Sequence, residues 1–327
     1  MKKVLAIVGA TGLVGSYFLK VLQEKNLKFD DYVLFASEKS EGKVLSVFDK
    51  KYFVQTLTAE SIKNKGITHA LFSAGRKVSE KYAPLFVREG ALVIDNGSQW
   101  RMNRFCPLVV PEANIEDALD NRGIIANPNC STIQAVLILK PLNDAFSIKR
   151  VIIDTYQAVS GAGGSGIADL RNGSVNIPPK VFPKPIYSSV IPQIDEFATN
   201  GYTLEELKMI NETRKILHCP ELPITATAVR VPVFNCHSES INVEFEKPCD
   251  EKDVLKVLKS AFGVTVYDKF DYPTPCDVNG KDGVYIGRIR KDYSKDNAFH
   301  FWVVADNLRK GASTNAIQIL EYMLKNS

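Results

Sequence analysis

The stretch KVLAIVGATGLVG at residues 3–15 limits the folds open to this chain more than any other. An apolar run at residues 4–8 is followed at once by glycines at 9, 12 and 15, and then by a helix-period pattern from about 12 to 25. A buried strand that enters a tight turn opening a helix is the first unit of a parallel α/β sheet. The basic start and apolar run resemble a secretory leader, but the run is too short for a leader's apolar segment. No stretch approaches the roughly 18 apolar residues that span a bilayer. The expectation is a cytoplasmic chain with no membrane partner.

Further short apolar runs follow: YVLFAS at 32–37, HALFSA at 69–74, ALVIDN at 91–96 and GIIANP at 123–128, alternating with helical segments. This alternation predicts βαβ units in a doubly wound, Rossmann-like parallel sheet. From about residue 150 the texture changes to longer alternating runs, RVIIDTYQAVSG, ATAVRVPVF, SINVEFE and FHFWVVAD, which predict a second α+β domain with a mixed or antiparallel sheet. A chain of 327 residues suits two such cores. The expected division is a dinucleotide-binding domain over 1–129, a catalytic and dimerisation domain over 130–307, and a C-terminal helix over about 308–327 that packs back on the first. Its apolar positions are Ala316, Ile317, Ile319, Leu320 and Met323. The proline-dense stretch from 172 to 193 reads as a loop excursion, directed toward a partner subunit. A net charge of +4, with basic and acidic residues interspersed, leaves no footprint for a nucleic acid.

The GATGLVG turn matches the dinucleotide fingerprint with Ala10 in the first glycine place, followed by Gly12 and Gly15. A tight turn lets backbone approach a pyrophosphate while the free N–H groups of a helix N-terminus face its oxygens. The alternative is an ordinary tight turn; the strand before and the helix after favour the cofactor. Where an acidic residue would hold a ribose 2′-hydroxyl, the second strand ends in Ser37, followed by EKSEGK. Ser37, Lys39 and Ser40 suit a 2′-phosphate, which points to NADP, although Glu38 could still reach a ribose.

Six cysteines, at 106, 130, 219, 236, 249 and 276, form no CxxC pair and no metal-like spacing with the four histidines. Free thiols are expected, and no metal. A free cysteine is most often a small apolar filler, and that reading suits five of them. Cys130 differs, because NPNCSTIQ sets it at the start of a helix-like run closed by Pro141, after an extended Pro and a capping Asn. The positive end of a helix dipole favours thiolate, the nucleophilic form. A proton partner is needed, and His237 in RVPVFNCHSES is the best of the four histidines. A lone histidine is more often structural, which is the reading for His69, His218 and His300.

The motifs GATGLVG, NPNCSTIQ, TYQAVSGAG, NETRKIL, RVPVFNCHSES and DNLRKGASTNAIQI, in that order, closely resemble aspartate-semialdehyde dehydrogenases of the bacterial type. The resemblance runs over nearly the whole chain. It implies NADP-dependent, phosphate-coupled interconversion of L-aspartate 4-semialdehyde and L-4-aspartyl phosphate, in lysine, methionine and threonine biosynthesis, by a homodimer.

The resemblance implies that Cys130 forms an acyl-thioester, that His237 is the acid/base, and that Gln157 orients substrate and thiol. Arg230 would clamp the substrate carboxylate and Glu212 would face its amine. Lys215, Arg101 and Asn129 would bind phosphate. For the cofactor it implies Gly9, Thr11, Gly12, Leu13 and Val14 at the phosphates, the Ser37 region at the ribose, and Ser160, Gly161 and Asn307 at the nicotinamide end. Without it, Glu212 and Lys215 would read as a solvated helix pair. Two departures stand out: a short, proline-rich loop after SGAGGSG where relatives often carry a longer helix, and Asn127 before Pro128 where they often carry a second cysteine. The alternatives are an N-acetyl-glutamyl-phosphate reductase on the same plan, or a non-catalytic NADP-binding protein.

Overall fold

The computed structural model describes residues 2–326, which divide into two compact units. The first runs to Pro128 and takes in the final segment from Ala312; the second is Asn129–Gly311.

The first unit starts with β1 (Val4–Val8), whose five residues are all buried, and α1 (Leu13–Glu24). It continues through β2 (Asp31–Ala36), β3 (Val44–Val47), β4 (Lys50–Thr56), α2 (Ala59–Ile62), β5 (His69–Phe72), α3 (Arg76–Arg88), β6 (Leu92–Asp95), α4 (Pro111–Asn114) and β7 (Ile124–Ala126). These strands form a seven-stranded sheet in the order β3-β4-β2-β1-β5-β6-β7. All neighbours are parallel except β3 with β4. The strand order reverses direction at β1, where such sheets open a crevice for ligands. Both faces are covered: Leu5, Ile7 and Leu34 pack in one apolar cluster, while Ala6, Val8 and Phe35 pack in the other. The hairpin of β3 and β4 was not among the sequence expectations; its residues are mostly exposed or half-buried, with only Val47 and Val54 buried.

The second unit opens with α5 (Cys130–Phe146) and β8 (Ile148–Gln157), followed by α6 (Gly163–Gly173), α7 (Leu204–Ile216), β9 (Ile224–Arg230) and β10 (His237–Phe245). Then come α8 (Glu251–Ser260), β11 (Val264–Val266), α9 (Pro275–Val278), β12 (Val284–Lys291) and β13 (Ala298–Ala305). Six strands make a mixed sheet in the order β11-β12-β13-β10-β8-β9. Pro141 does not close α5 as its sequence suggests. The helix runs on to Phe146, because a proline removes one backbone bond and the burial of Leu142 beyond it keeps the turn in place. The proline-dense stretch is tied to α6 by Asp169, whose carboxylate accepts the N–H groups of Lys180, Val181 and Phe182. The last helix, α10 (Thr314–Asn326), belongs to the first unit, where Ala316, Ile317, Ile319, Leu320 and Met323 join its core. Among the described residues no helix is long and apolar enough to cross a membrane.

Candidate active site

Three strand ends of the second unit meet at one edge of its sheet. Parallel β8 and β9 end together, with Gln157 in register with Arg230, and β10 begins beside them at His237. All three side chains are buried. Asn129 caps α5, its Oδ1 accepting the N–H groups of Ser131 at 3.0 Å and Thr132 at 3.3 Å. That cap sets half-buried Cys130 at the first helical position, where the dipole is positive. Its Sγ lies 3.1 Å from Nε2 of His237, 107 residues away in sequence.

The other ring nitrogen of His237 is also engaged. The Ala158 N–H donates to Nδ1 at 3.0 Å. A nitrogen that accepts carries no proton, so the neutral ring holds its hydrogen on Nε2, directed at the sulfur. Burial pushes His237 down to about 3, helped by the Arg230 charge and opposed by Glu205. The resting imidazole is therefore neutral at pH 7. This refines the acid/base role given to His237 from its sequence: the ring presents a donor to Cys130, not a vacant lone pair.

Arg230 is fixed by the same peptide, Nη1 donating to the Ala158 carbonyl at 2.7 Å, while its buried Nε has no partner. Gly161 is required beside it, since a Cβ there would lie 2.7 Å from Arg230 Nη1 and 3.3 Å from His237 Cε1. Next to it, the Asn307 amide donates to Ser160 Oγ at 3.0 Å and its Oδ1 accepts the Cys236 N–H at 2.9 Å.

Helix α7 supplies a stripe at helical spacing, Glu205, Lys208, Glu212 and Lys215. Glu212 is buried and its Oε2 accepts the Asn129 N–H at 2.7 Å. The first two of these residues were missed in the sequence, although they lie on the face that Glu212 and Lys215 define. Asn129 is tied into the same face. Its Oδ1 caps the helix and its Nδ2 donates one hydrogen to Glu205 at 2.8 Å, so its side chain builds the helix start and keeps a second amide hydrogen.

In the first unit, a cleft of about 680 Å³ is lined by Gly9, Thr11, Gly12, Ser37, Glu38 and Lys39 among others. Gly9 has φ +87°, and a Cβ on it would lie 2.3 Å from the Ser73 carbonyl; one on Gly15 would lie 2.1 Å from the Gly9 carbonyl. The turn therefore closes only with glycine at both places. Leu13 and Val14 begin α1, and Val14 packs on the core. Ser40, expected at the 2′-phosphate, is buried, and its Oγ accepts the hydroxyl of Thr11, a residue that lines the cleft, at 3.2 Å. Arg101 is buried, its Nε donating to the Asn127 carbonyl and its Nη2 to that of Asn96.

Among the described residues no disulfide joins the remaining cysteines. Cys106 and Cys236 are buried, as small apolar fillers are, but Cys276 is exposed and does not fit that reading.

Residues 4–121 match the family described as semialdehyde dehydrogenase, NAD binding domain, and residues 139–310 match semialdehyde dehydrogenase, dimerisation domain. The chain is 52% identical to an aspartate-semialdehyde dehydrogenase of Aquifex aeolicus, over 98% of this chain and 97% of the relative. It is 46% identical to that of Bacillus subtilis, over 98% and 97%. A solved Vibrio cholerae structure, aspartate semialdehyde dehydrogenase II complexed with ASA, superposes with a TM-score of 0.95 at 43% identity, covering 99% of both chains. A Candida albicans aspartate semialdehyde dehydrogenase with NADP does so with a TM-score of 0.75 at 26% identity, covering 98% of both. With a cysteine capped at a helix start, a histidine against its sulfur, and this likeness running from end to end, the chain belongs to the aspartate-semialdehyde dehydrogenase family.

Proposed function

We propose that this chain interconverts L-aspartate 4-semialdehyde and L-4-aspartyl phosphate through a thioester on Cys130, coupled to inorganic phosphate and NADP. The observation that carries the reading is the 3.1 Å approach of Cys130 Sγ to the protonated Nε2 of His237. A hydrogen bond from Nε2 favours the thiolate without requiring the buried ring to become charged. The carbon chemistry also fits the relatives' names.

In the acyl-phosphate direction, the Cys130 thiolate attacks the carbonyl carbon, the bond to the phosphate oxygen breaks, and phosphate departs toward Lys215. When bound, the nicotinamide cofactor supplies hydride in this direction and accepts it in the other. The same Nε2–H steadies the sulfur as it leaves and the oxyanion on the adjacent carbon. Arg230, with its unpartnered buried Nε, would receive the substrate carboxylate. Glu212 would face the substrate ammonium.

For the cofactor, the glycine-only turn at Gly9, Thr11 and Gly12 fits a pyrophosphate, and Ser37 and Lys39 suit a 2′-phosphate with Glu38 beside them. Ser160, Gly161 and Asn307 would hold the nicotinamide end. The dimerisation-domain match supports a homodimer.

The deciding assay is phosphate-dependent reduction of NADP with aspartate semialdehyde, run beside NAD and beside N-acetyl-glutamate semialdehyde. Activity on the first pair and its loss in Cys130→Ala is the expected result. Preference for the acetylated substrate, or a Cys130→Ala protein with normal turnover, would overturn the reading.

A further inference from the structure

We propose that Glu205 is a positioning residue of this reaction, one carboxylate oxygen selecting the orientation of both amide side chains that flank the nucleophile. The inference rests on the thioester reading above. Oε1 of Glu205 accepts Nδ2 of Asn129 at 2.8 Å and Nε2 of Gln157 at 3.2 Å. Each bond decides a flip state. With Nδ2 turned to Glu205, Asn129 must present Oδ1 to the Ser131 and Thr132 N–H groups, which is the cap that places Cys130. With Nε2 held by Glu205 and by Thr155 Oγ1 at 3.3 Å, Gln157 is left with its carbonyl oxygen as the free end, an acceptor for a substrate donor.

The carboxylate is kept ionised in a buried place. Its Oε2 pairs with Lys208 at 3.1 Å, and Lys208 reaches Asp195 at 2.7 Å. Burial alone would raise its pKa; the Lys208 charge and the bonds from Asn129, Lys208 and Gln157 outweigh that and bring it to about 2. A neutral acid at 205 could turn a hydroxyl toward either amide and lose the selection. A permanent acceptor cannot.

The test compares kcat, KM and iodoacetamide labelling of Cys130 for wild type, Glu205→Gln, Gln157→Ala and the double variant. In Glu205→Gln an amide replaces the acceptor, and kcat should fall about 10- to 100-fold, the penalty of a misplaced reacting group. KM for NADP should stay within about threefold of wild type. Circular dichroism should match wild type, which shows an intact fold, while the rate of Cys130 labelling should change as the Asn129 cap that places the thiol loosens. Because Glu205 acts in part through Gln157, adding Glu205→Gln to Gln157→Ala should slow kcat less than the two single effects multiplied. Should Glu205→Gln fail to fold, Glu205→Asp retains the charge for Lys208 but is one methylene short of the amides, and the same fall in kcat is expected. Unchanged kcat in whichever variant folds, or fully multiplied effects, would overturn the proposal. Wild-type protein inactive on aspartate semialdehyde would overturn the functional reading, and this with it; an active wild type with an equally active variant overturns this inference alone.

Discussion

The backbone N–H of Ala158 donates to Nδ1 of His237 at 3.0 Å, and this one bond decides which end of the imidazole carries the proton. The hydrogen that faces Cys130 is thus set by a peptide at the end of β8, outside the motif that contains the histidine.

A donor role can be told from a proton-transfer role by substitution. His237→Ala should lower kcat about 10²- to 10⁴-fold. His237→Gln, whose amide N–H can reach toward the sulfur, should recover at least about tenfold of that loss, because a donor is what the site uses. A glutamine variant no faster than alanine would show that the ring must gain and lose a proton.

Acid should unfold the protein early. His237 is held at about 3 and His69 at about 4, both chiefly by burial, while an unfolded histidine titrates near 6.5. Below that value the unfolded chain takes up protons that the folded chain refuses, so stability is full above about pH 6.5 and falls as pH drops toward the folded values. Thermal melts between pH 7.5 and 4.5 should show a declining midpoint, and His69→Phe should make the decline shallower.

Glu239 contributes the opposite trend over the same range, one proton against the two histidines'. It is fully buried on β10, and burial holds its carboxyl well above the usual range, offset only in part by Gln134 and Ser131. Gln134 and Ser131 lie beside the carboxyl, but neither of its oxygens, nor Gln134 Oε1 or Ser131 Oγ, makes a well-formed hydrogen bond, a set that a proton on the carboxyl begins to satisfy. A raised folded pKa gives stability that is complete below the unfolded value near 4.5 and is lost as pH rises toward the folded one. Glu239→Gln removes that dependence, so its melting temperature relative to wild type should be higher at pH 8 than at pH 5. A constant difference across that range would contradict the buried-acid assignment.

Two glycines with similar backbone angles should respond differently to alanine. Gly9→Ala adds a Cβ 2.3 Å from the Ser73 carbonyl at φ +87°, whereas Gly42→Ala at φ +73° meets nothing within 4 Å. The second should cost about 1 to 2 kcal/mol, for the left-handed backbone alone. The first adds overpacking and should cost about 2 to 5 kcal/mol, with loss of dinucleotide binding. Denaturant melts and a fluorescence titration with the reduced dinucleotide read both.

Much of this protein was legible in the chain because the information is local. Alternation of short apolar runs with helical periods marks a doubly wound sheet, a glycine-only turn follows a buried strand, and Asn-Cys before an apolar run marks a capped helix start. Each depends on residues within one or two turns of each other. The hairpin of β3 and β4 escaped, since its apolar residues are scattered between exposed positions and do not form one clean buried run. Glu205 and Lys208 escaped because a carboxylate and an ammonium three residues apart on a helix read as solvated. What buries Glu205 and half-buries Lys208 is the packing of α7, with Asn129 and Gln157 brought to it from 76 and 48 residues away. Only the tertiary structure could bring Nε2 of His237 to the Cys130 sulfur, join the Ser40 and Thr11 hydroxyls, and set the imidazole tautomer through the Ala158 peptide. Periodicity and capping are properties of neighbouring residues, whereas a proton's position on a buried ring depends on every group folding places around it.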